Sequence, residues 1–268
     1  MNVYSGIPMG EGATMQGFEM LLYGTGNSLY DYSTHKWIVK SPGFLNSLQF
    51  IKKLYGSHLG PPLSQALTST MGSMVVTNLL PQQKLAIDLD GMWLPGSWGP
   101  NTSSPWPQWT KVMAYTPMPT ETAQNPYYTT LSGGWALSIS KKAKHPNLAW
   151  SFIKLATNKQ NTAYINAHWV TLSPRMDTAK THQYLSAAPN IGFSTKLLKY
   201  TFFRPAFPQY AKVSYQIQQA MEEVMTGKMT PQQAMNQYAS AVTKIVGTSH
   251  VEVLHHAETA AQLRPSAS

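Results

Sequence analysis

Asp88 and Asp90 stand two residues apart at the end of "KLAIDLD" (84–90), and Trp93, Trp98, Trp106 and Trp109 follow within "GMWLPGSWGPNTSSPWPQW" (91–109). Two chemistries suit such a set. Two carboxylates facing one bond would serve glycoside hydrolysis. A carboxylate beside indole faces would instead hold a ligand that is apolar on one face and hydroxylated at its edge, as a pyranose ring is. Residues two apart on a strand point the same way rather than across a cleft, which disfavours the first. An opposing wall would have to come from Glu11, Glu19, Asp31, Glu121, Asp177 or the helix acids, since the chain has 11 acids in all. A glycan-processing hydrolase using Asp88 or Asp90 is therefore kept as the alternative.

Other reaction centres are missing from the sequence. Cysteine is absent, so thiol and disulfide chemistry is excluded and a zinc site would rest on His and carboxylates alone. The eight His form no His-Glu-x-x-His pattern, and the neighbours His255 and His256 cannot both face one ion from a regular helix. "PGSWG" is not a nucleophile elbow, and "GTGNS" (24–28) lacks the lysine of a phosphate-cradling loop. The sequence calls for no cofactor and no metal, and it reads as a binding protein rather than an enzyme.

Composition points the same way. Of 268 residues 43% are apolar, enough for a sizeable core in one large domain or two ordinary ones, while 12% are charged. That is about half the usual ~25%. Ser, Thr, Asn and Gln supply the polarity, which suits an uncharged, hydroxylated partner. The net charge of +9 raises a basic nucleic-acid-binding module as a second alternative. Yet Lys and Arg are scattered, and the densest groups, "KKAK" (141–144) and "IKK" (51–53), adjoin helical segments and read as solvated faces. The charge comes from a shortage of acids, so no nucleic-acid partner is expected. No stretch reaches the 18 apolar residues of a membrane span. The opening "MNVYSGIPMGEGATMQGF" lacks a signal peptide's basic-then-apolar pattern, so this chain as written would stay in the cytoplasm.

The elements that must position these residues are legible in part. In "SPGFLNSLQFIKKLY" (41–55) Ser41 caps a helix, Pro42 takes its first position, and Phe44, Leu48, Ile51 and Tyr55 form one stripe. Residues 84–90 alternate, predicting a half-buried strand with Leu85, Ile87 and Leu89 on one face and the two Asp on the other. "SGGWALSIS" (132–140) alternates likewise, and "HPNLAWSFIKLAT" (145–157) predicts a helix capped by Asn147 with Leu148, Phe152 and Leu155 inward. Together they read as a βα unit. Val213, Ile217, Met221 and Val224 mark a helix stopped by Gly227, and Thr230, Pro231 and Gln233 open another as a capping box. Trp37, Trp150 and Trp169 sit in or beside periodic segments and read as core. Trp93, directly after a strand end, reads as a ligand contact. Trp106 and Trp109 are left open between the two.

In order and wording these segments resemble the extracellular sugar-binding proteins that serve ABC importers, the family 1 solute-binding proteins. "GATMQGFEMLLYGTGNSLYD", "KWIVKSPGFLNSLQFIKKLY", "KLAIDLDGMW", "SGGWALSISKKAKHPNLAWSFIKLAT" with "LSPRMD", and the closing helices "RPAFPQYAKVSYQIQQAMEEVMTGKMTPQQAMNQYASAVTKIVG" follow the family's sequence over about residues 4–247. The resemblance implies an α/β, two-lobed periplasmic-binding-protein fold of type II, incomplete because most of the amino-terminal lobe is absent. It places 1–118 in the second lobe, 119–174 in the first, and 175–247 in the second as closing helices. Residues 248–268 are expected to be a poorly ordered tail. The first-lobe segment would leave Leu137, Ile139, Phe152 and Ile153 under-covered.

By the same resemblance, a mono- or oligosaccharide lies in an aromatic-lined cleft between the lobes and is delivered to the transmembrane subunits of an ABC permease. Trp93 carries over as the stacking platform, with Gly133, Gly134 and Trp135 close to the ligand. Arg204 of the "RP" turn joins them, as do Tyr4, Glu11 and Gln16 near the start, beside Asp90. The full-length protein would be extracytoplasmic, either lipid-anchored or periplasmic.

Overall fold

The computed structural model describes residues 1–121 and 128–258. Six helices carry most of it: α1 (Gly10–Gly24), α2 (Pro42–Gly56), α3 (Pro146–Ala156), α4 (Lys159–Trp169), α5 (Tyr210–Met225) and α6 (Pro231–Val246). The strands are short: β1 (Asn2–Val3), β2 (Tyr30–Asp31), β3 (Lys36–Lys40), β4 (Asp88–Leu89), β5 (Met118–Pro119), β6 (Tyr128–Leu131), β7 (Thr201–Phe202) and β8 (Val251–Val253). They form three sheets, ordered β1-β4, β2-β3-β8 and β5-β6-β7.

The chain divides into two compact units. One comprises Met1–Asp90, Pro117–Leu131 and Tyr200–Ser268; the other comprises Gly91–Thr116 and Ser132–Lys199. The chain passes from one unit to the other after 90, 116, 131 and 199. In the second unit the Trp-rich loop 91–109 packs with segments that follow 169.

In the first unit, α1, α2, α5 and α6 share one apolar core. α2 forms as its sequence dictates: the Ser41 hydroxyl accepts from the Phe44 N–H at 3.1 Å, and the Phe44–Leu48–Ile51–Tyr55 stripe is buried. Phe44 is the centre of this core. Its ring stacks on Tyr238 at 4.4 Å between centroids and meets Phe18 edge-on at 5.0 Å. α5 buries Val213, Ile217 and Met221 completely and stops at Gly227, whose φ of 76° only glycine adopts freely. The α6 capping box is complete, with Thr230 Oγ1 accepting from the Gln233 N–H (3.2 Å) and Gln233 Oε1 accepting from the Thr230 N–H (2.9 Å).

The segment beyond α6 departs from expectation. β8 pairs in parallel with β3, Trp37 opposite Val251. Asn27 Nδ2 donates to the His256 carbonyl at 3.0 Å, and the Glu258 carboxyl lies 2.5 Å from the Ser28 N–H and 2.8 Å from the Ser28 hydroxyl. A three-residue strand has no periodicity to read, and only its partner reveals it. The rest of the expected tail, 259–268, lies outside the described residues.

In the second unit the loop's indoles supply its own small core. Trp98 is buried, meets Trp106 edge-on at 4.9 Å and lies 6.0 Å from Trp109. Val170, Tyr184, Ala188 and Ile191 form a neighbouring cluster against which Met92 and Trp109 pack. The predicted strand at 132–140 is absent, because a strand needs a ladder partner and 132–140 finds none among the described residues. α3 forms, but His145 rather than Asn147 stands at its cap, with no side-chain capping bond. Its Leu148, Phe152 and Leu155 are exposed rather than inward, as is Leu137, while Ile139 and Ile153 are half-buried. Trp150 and Trp169 are likewise exposed, against the core reading, whereas Trp37 is buried as expected.

Candidate functional site

The parallel pair β1–β4 sets Asn2 opposite Asp88 and Val3 opposite Leu89, which brings Tyr4 beside Asp90. Tyr4 Oη donates to Asp90 Oδ2 at 3.1 Å, and Asn2 Nδ2 donates to Asp88 Oδ1 at 2.8 Å. Tyr55 Oη donates to the Val3 carbonyl at 2.8 Å and holds the edge in place. Tyr4 is buried, and that burial, with the charges of Asp90 and Asp88, raises its phenol far above the ordinary value. It therefore remains a hydrogen-bond donor.

The predicted alternation over 84–90 holds only in part. Leu85 and Leu89 are buried, but Ile87 is exposed and the strand is two residues long. Asp88 turns inward instead: burial, then the neighbouring Asp90, pushes its carboxyl up to about 7, against the opposing bond from Asn2 and the charge of the chain's amino group. Asp88 Oδ2 and Asn2 Oδ1 are both buried without a donor among the described residues. A proton on Asp88 would supply one, giving an acid–amide pair across the two strands. The two carboxyls thus lie side by side on one edge rather than across from each other.

A second group forms around the start of α1. Arg204 Nε lies 3.1 Å from Glu11 Oε1, and Arg204 Nη2 donates to the Gly12 carbonyl at 2.9 Å. Tyr210, at the first turn of α5, places its hydroxyl 2.8 Å from Glu11 Oε1 and 3.3 Å from Glu19 Oε1. Sequence reasoning missed Tyr210, and named Glu19 only as a possible opposing acid. The available signal was an acid set between Phe18 and "MLLY" in a helix, where a charge is costly unless paired or neutralised. Gln16 is half-buried on the same helix.

The remaining candidates belong to the second unit. Trp93 is 45% exposed, and its ring lies directly against Gly91, where any side chain would collide with it. Gly133, Gly134 and Trp135 are exposed. The structure therefore joins Tyr4 with Asp90 and Glu11 with Arg204 in the first unit, and leaves two indole faces open in the second. Among the described residues no group of three His, Cys, Asp or Glu could hold a metal ion. The oriented donors and acceptors of the first unit, and the open aromatic faces of the second, are each of a kind that holds a hydroxylated ring without reacting with it.

Residues 5–163 match the family described as bacterial extracellular solute-binding protein, and the chain belongs to that family. Solved structures share the fold. The maltose-bound MalE3 of T. maritima superposes with a TM-score of 0.72 at 19% identity, over 89% of this chain and 59% of that one. A solute-binding protein of an ABC transporter from Thermotoga lettingae, bound with α-D-tagatose, gives 0.72 at 23% identity, over 89% and 58%. The GacH receptor of Streptomyces glaucescens, solved unliganded and with acarbose, gives 0.72 at 18%, over 86% and 56%. The chain thus carries part of the two-lobed α/β periplasmic-binding fold and spans less than three fifths of the length of these proteins. No helix among the described residues is long and apolar enough to cross a membrane.

Proposed function

We propose that this chain is the carbohydrate-binding component of an ABC importer, which captures a sugar or oligosaccharide in an aromatic-lined cleft between lobes and hands it to the permease subunits. In this reading 119–174 belongs to the first lobe and 1–118 with 175–247 to the second. Trp93 and Trp135 offer stacking faces, Gly133 and Gly134 let backbone approach the ring, and Asp90, Tyr4, Glu11, Gln16 and Arg204 bond its hydroxyls. The whole protein works outside the cytoplasm, held there by a lipid anchor or by the periplasm.

The observation that carries the reading is the sorting of the indoles. Trp37, Trp98 and Trp106 are buried, whereas four indoles are exposed: Trp150 and Trp169 on α3 and α4, and Trp93 and Trp135 at the two positions that the family likeness links to ligand. An exposed indole contributes little to the fold and is free to contribute to binding. Tagatose, maltose and acarbose, bound by the similar proteins, set the ligand class to try first.

Trp93→Ala is expected to weaken sugar binding about ten-fold, or ~1.4 kcal/mol, the upper part of the range for an aromatic contact. The thermal melt should stay within about 0.5 kcal/mol of the parent, as for other exposed positions. Calorimetric titration of both proteins reads the difference, and equal affinities would remove Trp93 from the site.

A further inference from the structure

Tyr210 has one hydroxyl hydrogen and faces two carboxyls. Its Oη is 2.8 Å from Glu11 Oε1 and 3.3 Å from Glu19 Oε1. With both carboxyls ionised, the hydroxyl could serve only one of them, and the other oxygen would meet a lone pair. Glu11 is the partly exposed member and already has the Arg204 guanidinium at 3.1 Å. Glu19 is wholly buried, and its Oε2 has no hydrogen-bond partner among the described residues. The count of hydrogens closes if Glu19 keeps its proton on Oε1. Glu19 then donates to Tyr210, Tyr210 donates to Glu11, and Glu11 pairs with Arg204.

We propose that Glu19 is a protonated positioning residue, which acts through Tyr210 to hold Glu11 and Arg204 as a ligand-facing pair and makes capture by that pair sensitive to pH. The ligand half of this inference rests on the function proposed above; the proton half does not. The groups that face Glu19 are Glu11 and Tyr23 from α1, Tyr32 beyond β2, Arg204 beyond β7, Tyr210 from α5 and Tyr238 from α6. Their phenols are raised by burial and stay neutral, so Glu11 and Arg204 are the charges present. Burial lifts the Glu19 carboxyl to about 8, with Glu11 adding to it and Arg204 and Tyr210 opposing. Loss of the proton places a second negative charge beside Glu11. Tyr210 must then choose between two carboxylates, and Arg204 is drawn toward the buried one.

The test is calorimetric titration of the full chain with maltose, maltotriose and tagatose from pH 6 to 9.5, with thermal melts at each pH. Affinity is expected to hold to about pH 7 and to fall several-fold above 8. Glu19→Gln should keep the affinity seen at low pH and lose the break, because an amide stays neutral and still donates to Tyr210. Tyr210→Phe, which removes the link between Glu19 and Glu11, should already bind more weakly at pH 6. The melts read the proton without any sugar: Glu19→Gln should gain stability relative to the parent as pH rises from 5 to 8. A break that survives in Glu19→Gln, or a melt difference that does not change with pH, overturns the proposal. No saturable signal from any of the three sugars would count against the proposed function, and the melts would still decide the proton.

Discussion

Replacing Phe44 by Ala is expected to destabilise the first unit by about 3–5 kcal/mol, the cost of removing a large buried aromatic side chain. The ring is almost wholly buried at the meeting point of three helices, stacked on Tyr238 of α6 and edge-on to Phe18 of α1. Truncation therefore loses two aromatic contacts in addition to the transfer term and leaves a cavity bounded by elements with their own capping and core contacts. Those elements cannot collapse into the space without giving up native packing. Phe44→Leu, which keeps most of the volume, should cost less than half as much. Denaturant unfolding of both variants checks the order; an Ala variant within 1 kcal/mol of the parent would show that α2 is not central to this core.

Stability is also expected to fall as pH rises from about 5 to 8. Three buried carboxyls share the cause, desolvation of the charged form. Glu19 is raised from 4.5 to about 8, Asp88 from 3.8 to about 7, and Glu258 from 4.5 to about 7. Below its unfolded value each is protonated in both states and contributes fully. Between the two values the unfolded chain has released a proton that the folded chain keeps, so stability declines through that window. Above the folded value the contribution is gone. For one carboxyl the limiting slope is about 1.4 kcal/mol per pH unit. A net loss of at least that size between pH 5 and 7 is expected. Exposed Asp177, held below the usual range by its bonds to Arg175, acts in the opposite direction and at more acid pH. Urea unfolding across the range reads the slope. Glu19→Gln and Asp88→Asn should each flatten it; a stability that climbs from pH 5 to 8 would show that these carboxyls are ionised in the fold.

What the sequence disclosed follows from the range of the forces involved. α2, α5 and α6 could be read because cap, stripe and stop lie within one segment: Ser41 with Phe44, Gly227, and Thr230 with Gln233. β8 could not, since its ladder partner among the described residues is β3, more than two hundred residues earlier. The 132–140 stretch failed for the converse reason. Its alternation of Trp135, Leu137 and Ile139 fits a strand, but alternation supplies no neighbour to pair with. Leu148, Phe152 and Leu155 of α3 are exposed, with no sheet packed on them among the described residues.

The site divides in the same way. Asp90 and Tyr4 were both named, but that they share a hydrogen bond depends on the β1–β4 register, which two residues per strand do not announce. Arg204 and Glu11 were named separately and prove to be an ion pair. Tyr210 joins that pair to buried Glu19, a link that depends on how α5 lies against α1. Trp98 and Trp106 show the limit of composition. Among glycines and prolines they look unsupported, yet they pack on each other and give the loop its core.

Intrinsic Trp fluorescence of the full chain, titrated with mono- and oligosaccharides beginning with tagatose, maltose and maltotriose, tests the carbohydrate-binding reading most directly. A saturable spectral shift with one class of sugar, reduced in Trp93→Ala, is the predicted result. A chain that melts cooperatively yet shows neither a shift nor a heat of binding with any sugar would contradict it.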